Sequence, residues 1–163
     1  MKHRIFCDLD GVIVNLGKRI HALTGKNPDI WDSTFWPFIT NHKSFFIDLE
    51  PILGHDILLK KCMEFSSDGK IHILTAIPKP HRQIVDAPGQ KLSWVRDHVD
   101  VPFQFNIGPF GEDKWKHCQY PTDILIDDSD RNIEDWISKG KGIGILHTDI
   151  KSTIEILERI CNG

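Results

Sequence analysis

The sequence predicts an α/β fold in which a mostly parallel sheet is wrapped by helices. Three observations lead there. Five short β-rich runs recur along the chain, each apolar and bounded by Gly, Pro or Asp, as suits strands covered on both faces. Helical patterns, with apolar residues three and four apart, fall between them. Strand alternating with helix is the arrangement of parallel strands joined by crossover helices.

The first strand is expected over residues 4–8. The interval 9–70 that follows is far longer than one crossover helix needs, and it holds Trp31, Phe35, Trp36, Phe38, Phe45 and Phe46. An insertion with its own aromatic cluster reads as a small helical cap, about residues 16–55, over the sheet's carboxyl edge. A helix over 55–65 carries Ile57, Leu58, Lys61, Cys62 and Phe65 at helical spacing. The second strand falls at 71–75. A helix over 90–99 sets Leu92, Val95 and Val99 on one stripe, and the third strand follows at 103–107. The fourth, 123–127, runs into an acidic stretch where Ser129 and Asp130 can cap a helix through Trp136. Gly140 to Gly144 lies between helix and strand, the reverse of a dinucleotide-binding loop, and reads as a turn. A fifth strand at 143–147 and a helix over 150–160 complete one domain, 1–163.

At 163 residues the chain can bury a core without disulfides. Its formal charge of −3 and pI near 6.3 give no general attraction to nucleic acid or to an anionic membrane. The four cysteines, Cys7, Cys62, Cys118 and Cys161, form no C-x-x-C pair, which speaks against a disulfide framework or a thiolate metal site. Free thiols, no leader-like start and no long apolar run make a cytoplasmic protein the expectation.

Chemistry gathers where parallel strands end. The first strand ends Asp8-Leu9-Asp10-Gly11; residues two apart in extended chain point the same way, so Asp8 and Asp10 can address one ligand. One carboxylate can attack phosphorus while the other handles the leaving-group proton and then the attacking water. Thr75 ends the second strand, and with the Ala76 N–H it can donate to phosphoryl oxygens. Asp127 and Asp128 end the fourth. Adjacent carboxylates repel unless a cation neutralises them, and oxygen-only ligands suit Mg²⁺. Lys114 or Lys116 can supply the fixed positive charge that a phospho-aspartate would need.

Taken together, these four pieces resemble the haloacid dehalogenase (HAD) superfamily of phosphatases, over residues 4 to about 136. The resemblance implies a HAD-like Rossmannoid three-layer sandwich with a five-stranded parallel sheet of order 5-4-1-2-3 and a small helical cap after strand 1. It matches Asp8 to the nucleophile, Asp10 to the general acid/base, Thr75 to the second motif, Lys114 to the third and Asp127-Asp128 to the fourth. It implies Mg²⁺ held by Asp8, the Asp10 carbonyl and Asp128, with Asp127 beside them. Asp8-Leu9-Asp10-Gly11-Val12, Asp32-Ser33-Thr34-Phe35-Trp36 and Lys91-Leu92-Ser93-Trp94-Val95 are similar to the 5′(3′)-deoxyribonucleotidase branch. That branch implies a pocket drawn from Phe35, Trp36, Phe45 and Phe46, with Lys79 touching substrate. Thr-Ala-Ile-Pro and Asp-Asp-Ser-Asp depart from the branch's usual second and fourth motifs.

The implied function is Mg²⁺-dependent hydrolysis of a small phosphate ester, a deoxynucleotide, with no membrane or nucleic-acid partner; a homodimer is compatible with it. Its rivals are a phosphatase of the same fold acting on another small phosphate ester or a nucleic-acid 3′-phosphate, and, more remotely, a non-catalytic binding module.

Overall fold

The computed structural model describes residues 3–26, 36–79 and 86–163. Among them, five strands form an all-parallel sheet: β1 (Ile5–Cys7), β2 (Ile71–Thr75), β3 (Phe103–Ile107), β4 (Ile124–Asp127) and β5 (Ile143–Leu146). Their order is β3-β2-β1-β4-β5, the expected order met from the other edge. β1 sits at the centre, pairing Phe6 with His72 on one side and with Leu125 on the other.

Alternation divides the sheet into two apolar faces. Ile5, Cys7, Ile73, Ile126 and Ile145 join the larger core, together with α3 (His55–Phe65), α4 (Ala87–His98) and α6 (Ile150–Asn162). Phe6, Leu74 and Leu125 face the other way onto Ile133 and Trp136 of α5 (Asp130–Ser138). Helices on both faces give three layers. The expectation of strands covered on both faces holds for β1, β2 and β4, which are buried throughout. It fails at the edges, where β3 and β5 have one side unpaired: Gln104 and Leu146 are exposed.

Two helical stripes depart in part from those the spacing predicts: Leu58, Cys62, Val95 and Val99 are buried as expected, and other positions differ. In α3 the buried residues are Leu58, Leu59 and Cys62, while Ile57 is 58% exposed. Lys61 instead ties α3 to α6 through Glu158, at 3.1 Å. In α4 the inward residues are Ala87, Gln90, Lys91, Trp94 and Val95. Val95 and Val99 of the expected stripe are buried, but Gln90 and Lys91 are polar, and an apolar pattern does not find them. Gln90 is held by partners far along the chain: its amide donates to the Lys43 carbonyl and its carbonyl accepts from the Phe46 N–H.

The turn after β4 folds as its residues dictate. Ser129, rather than Asp130, is the N-cap of α5, accepting from the Asn132 N–H; Asp130 is the first helical residue. The interval after β1 contains α1 (Leu16–Thr24), α2 (Trp36–Thr40) and a run of turns over 41–48. No helix among the described residues is long and apolar enough to cross a membrane.

Candidate active site

The site lies at the carboxyl edge of β1, β2 and β4. The Asp8 N–H still donates to Ile126 O at 2.9 Å, so the chain runs on alongside β4 past the end of β1 before it turns. Gly11 then takes φ +83°, a left-handed conformation that other residues adopt at a cost. Its Cα also faces the Asp128 carboxylate so closely that a Cβ would overlap it.

Lys114 enters from a 3-10 helix over Gly111–His117. Its side chain is 2% exposed, and its Nζ lies 2.7 Å from Asp8 Oδ1 and 2.7 Å from Asp127 Oδ2. Lys116, by contrast, pairs with Asp113 at the surface, 2.6 Å away. The geometry thus brings Lys114, and not Lys116, to Asp8. Asp127 is fully engaged: Oδ1 accepts from the Ser129 N–H and from Asn132 Nδ2, which also donates to Oδ2. These bonds fix Asp127 as the anchor of Lys114.

Carboxylate oxygens of Asp8, Asp127 and Asp128 all lie within 4.8 Å of one another. Burial pushes the Asp8 carboxyl well above its ordinary range; Lys114 opposes this, and Asp127, Asp10 and Asp128 reinforce it. Asp128 is exposed as a residue, yet its carboxyl end is crowded, and burial, then Asp127 and Asp10, push it up to about 6 against the pull of Lys114. Burial disfavours the Lys114 ammonium, but Asp8 and Asp127 more than reverse that and hold it charged. Burial is the larger cause and mutual repulsion among the carboxylates adds to it, so a cation bound among them would favour their ionised forms. The donor set is oxygen-only, and Asp127 is already committed to Lys114. Asp8 and Asp128 are therefore the side chains that fit a Mg²⁺ ion, which takes one or two carboxylates and keeps several waters.

A second cluster centres on Asp10. Lys91 of α4, 2% exposed, donates to Asp10 Oδ2, to Thr75 Oγ1 at 3.0 Å and to Ala76 O at 2.9 Å. Its ammonium also lies 4.7 Å from the centroid of the Phe46 ring. Asp10 Oδ1 is buried with no hydrogen-bond partner among the described residues. Lys91 stands in a run that resembles the deoxyribonucleotidase branch, but no role at the site was expected of it. The available signal was a lysine inside the repeating inward positions of a helix, between Ala87 and Trp94.

Two cavities meet at Asp10, Leu16 and Ala76. One, about 570 Å³, is also lined by Asp8, Gly11, Lys114, Asp128 and Asn132. With the partners these side chains bind, the ionised groups are four carboxylates (Asp8, Asp10, Asp127, Asp128) against two ammoniums (Lys91, Lys114), a deficit of two charges that one divalent cation cancels. The other, about 260 Å³, is lined by Phe46, Ile77, Pro78, Lys79, Lys91, Phe110 and Glu112 besides the shared residues. Phe46 and Lys79 thus face a cleft next to Asp10. Phe45 is fully buried, edge-on to Phe46 with centroids 5.1 Å apart, and packs in the core rather than lining the cleft. Phe35 and the side chain of Trp36 lie outside the described residues, as does Trp31. Phe110 and Glu112, which the sequence reading did not single out, complete the lining.

The family model described as 5′ nucleotidase, deoxy (pyrimidine), cytosolic type C protein matches residues 22–160. The match begins after Asp8 and Asp10 and takes in β2 to β5, Lys91, Lys114 and the Asp127-Asp128 pair. A comparison with curated proteins found no match.

Proposed function

The chain belongs to this nucleotidase family of HAD-like hydrolases acting on phosphomonoesters, and from that premise we propose that it removes phosphate from a deoxynucleoside monophosphate through a phospho-aspartate on Asp8. One observation carries the reading: Asp10 stands where the two cavities meet, where a general acid must be to reach the oxygen linking phosphate to its leaving group.

Asp8 attacks phosphorus, and the bond from phosphorus to the sugar oxygen breaks as Asp10 gives that oxygen its proton. Asp10 then takes a proton from water, which attacks the same phosphorus. The bond to Asp8 breaks, inorganic phosphate leaves, and both carboxyls return to their starting states. Lys114 balances charge at Asp8 throughout, and the Ala76 N–H, on the wall common to both cavities, supports the phosphoryl oxygens. Thr75, wholly buried and bonded to Lys91, backs that wall rather than lining it. Lys91 fixes the direction of Asp10. Asp8, the Asp10 carbonyl and Asp128 would hold Mg²⁺, which when bound would supply charge neutralisation for the transferring phosphoryl group. The segment of about 16–55 serves as the cap, with Phe46 reaching from it into the leaving-group cleft.

The test is phosphate release from deoxynucleoside monophosphates, sugar phosphates and 3′-phosphorylated oligonucleotides, each with Mg²⁺ and with EDTA. Turnover of the first class alone, lost in EDTA, supports the reading; turnover of only one of the others would replace it.

A further inference from the structure

The cleft beside Asp10 carries four charged side chains, and they cancel in two pairs. Lys91 is matched by Asp10. Lys79 is matched by Glu112, its Nζ 3.2 Å from Oε1, with the two side chains 47% and 44% exposed. Lys79 also lies 5.6 Å from the centroid of Phe110, so this pair stands at the open, solvent-facing part of the cleft. Glu112 comes from the same 3-10 helix as Lys114. One short element therefore sends an ammonium to the phosphate side of the site and a carboxylate to the leaving-group side.

We propose that Glu112, paired with Lys79 across the cleft, is a specificity-determining residue that restricts the leaving group to an electrically neutral one. The inference rests on the hydrolase reading above and adds to it what may follow the phosphate. A lone Lys79 would make the cleft cationic and welcome a leaving group with a second anion, such as a further phosphate or a phosphodiester chain. With Glu112 present, such a group gains nothing from Lys79 and meets a carboxylate held close by. A neutral leaving group with a flat apolar body instead meets Phe46, Phe110, Ile77 and Pro78. Its polar edge can give a hydrogen bond to Glu112 and accept one from Lys79.

The experiment compares two aryl phosphates of nearly one shape, 4-carboxyphenyl phosphate with an anionic leaving group and 4-carbamoylphenyl phosphate with a neutral one. The readout is the ratio of their kcat/KM values with Mg²⁺ at low ionic strength. In Glu112→Gln that ratio should shift toward the anionic substrate by roughly two- to fivefold, the scale of an exposed charge pair. In Lys79→Met it should shift the other way, and added salt should shrink both shifts. A merely structural role would not give opposite signs. An unchanged ratio in Glu112→Gln, with both substrates turned over by the wild-type chain, overturns this inference alone. If the wild-type chain hydrolyses neither aryl phosphate while it releases phosphate from a deoxynucleoside monophosphate, this inference alone is overturned; failure on all three overturns the hydrolase reading as well.

Discussion

Lys91 holds Asp10 from the neighbouring helix while its own ammonium is almost wholly buried. The pair joins α4 to the loop after β1 across 81 residues of chain. Its other contacts, Thr75 Oγ1 and Ala76 O, belong to the end of β2. A single lysine thus sets the relative placement of Asp10 and the second strand's terminus.

Replacing it should therefore damage chemistry more than binding. Lys91→Met is expected to lower kcat by roughly 10²-fold, the scale of general acid–base catalysis, with KM changed little. Lys91→Arg should recover part of the loss. A variant that raises KM alone would show that Lys91 binds substrate rather than orienting Asp10.

Asp8→Asn keeps the size of the side chain and removes the carboxylate proposed to attack phosphorus. Turnover should fall by about 10⁴-fold, as when the reacting group of a catalytic unit is removed. The fold should persist by circular dichroism, because a buried carboxyl raised well above its ordinary range is an unfavourable place for charge. Near-normal phosphate release would exclude Asp8 as the attacking group.

The metal-free protein should lose stability as pH rises. In the fold, Asp8 and Asp128 are raised above 3.8, Asp128 to about 6. The folded state then holds more protons than the unfolded chain between those values, so unfolding free energy falls through that window. Mg²⁺ needs the ionised carboxylates, so its stabilising shift in Tm should be larger at about pH 7.5 than at about pH 5. Equal shifts at both would remove Asp128 from the metal's ligands.

Gly11→Ala tests the floor beneath Asp128. With φ at +83° and a Cβ overlapping the carboxylate, the substitution should push Asp128 aside. Calorimetric titration should show Mg²⁺ affinity reduced by at least about tenfold, as for lost support around a metal ligand. Retained affinity would mean that Asp128 can move without consequence for the ion.

Away from the site, Asp123 is buried and receives Arg4 at both oxygens and the N–H groups of Gln119 and Tyr120 at one of them. Asp123→Ala leaves Arg4, itself mostly covered, without its partner and should cost about 3 kcal/mol in urea unfolding. A loss below about 1 kcal/mol would class the pair with ordinary surface ion pairs.

Much of this architecture was legible from residues alone because its signals are local. Ile71–Thr75 and Phe103–Ile107 are short runs between turn formers, and both strands fall where the run predicts. The convergence of Asp8, Thr75 and Asp127 follows from a rule about where parallel strands end. What escaped was polar and held by distant partners. Gln90 and Lys91 turn inward because Phe46 and Asp10 wait for them, and a hydrophobic period has no way to register that. Ile57 faces outward for the converse reason, since its neighbour Lys61 finds Glu158 on α6. The cleft lining at Phe110 and Glu112 depended on a 3-10 turn that no apolar spacing marks.

The central place of β1 has a consequence for synthesis. Ile5–Cys7 is made before the other four described strands, yet one of its partners, β4, begins at Ile124, and His3 and Arg4 bond to Thr122 and Asp123 across 119 residues. At ribosomal speeds this sticky segment waits roughly 6–24 s for that neighbour. Until then it is open to mispairing or to capture by a chaperone, and no nascent fragment ending before Asp128 can assemble the acidic cluster.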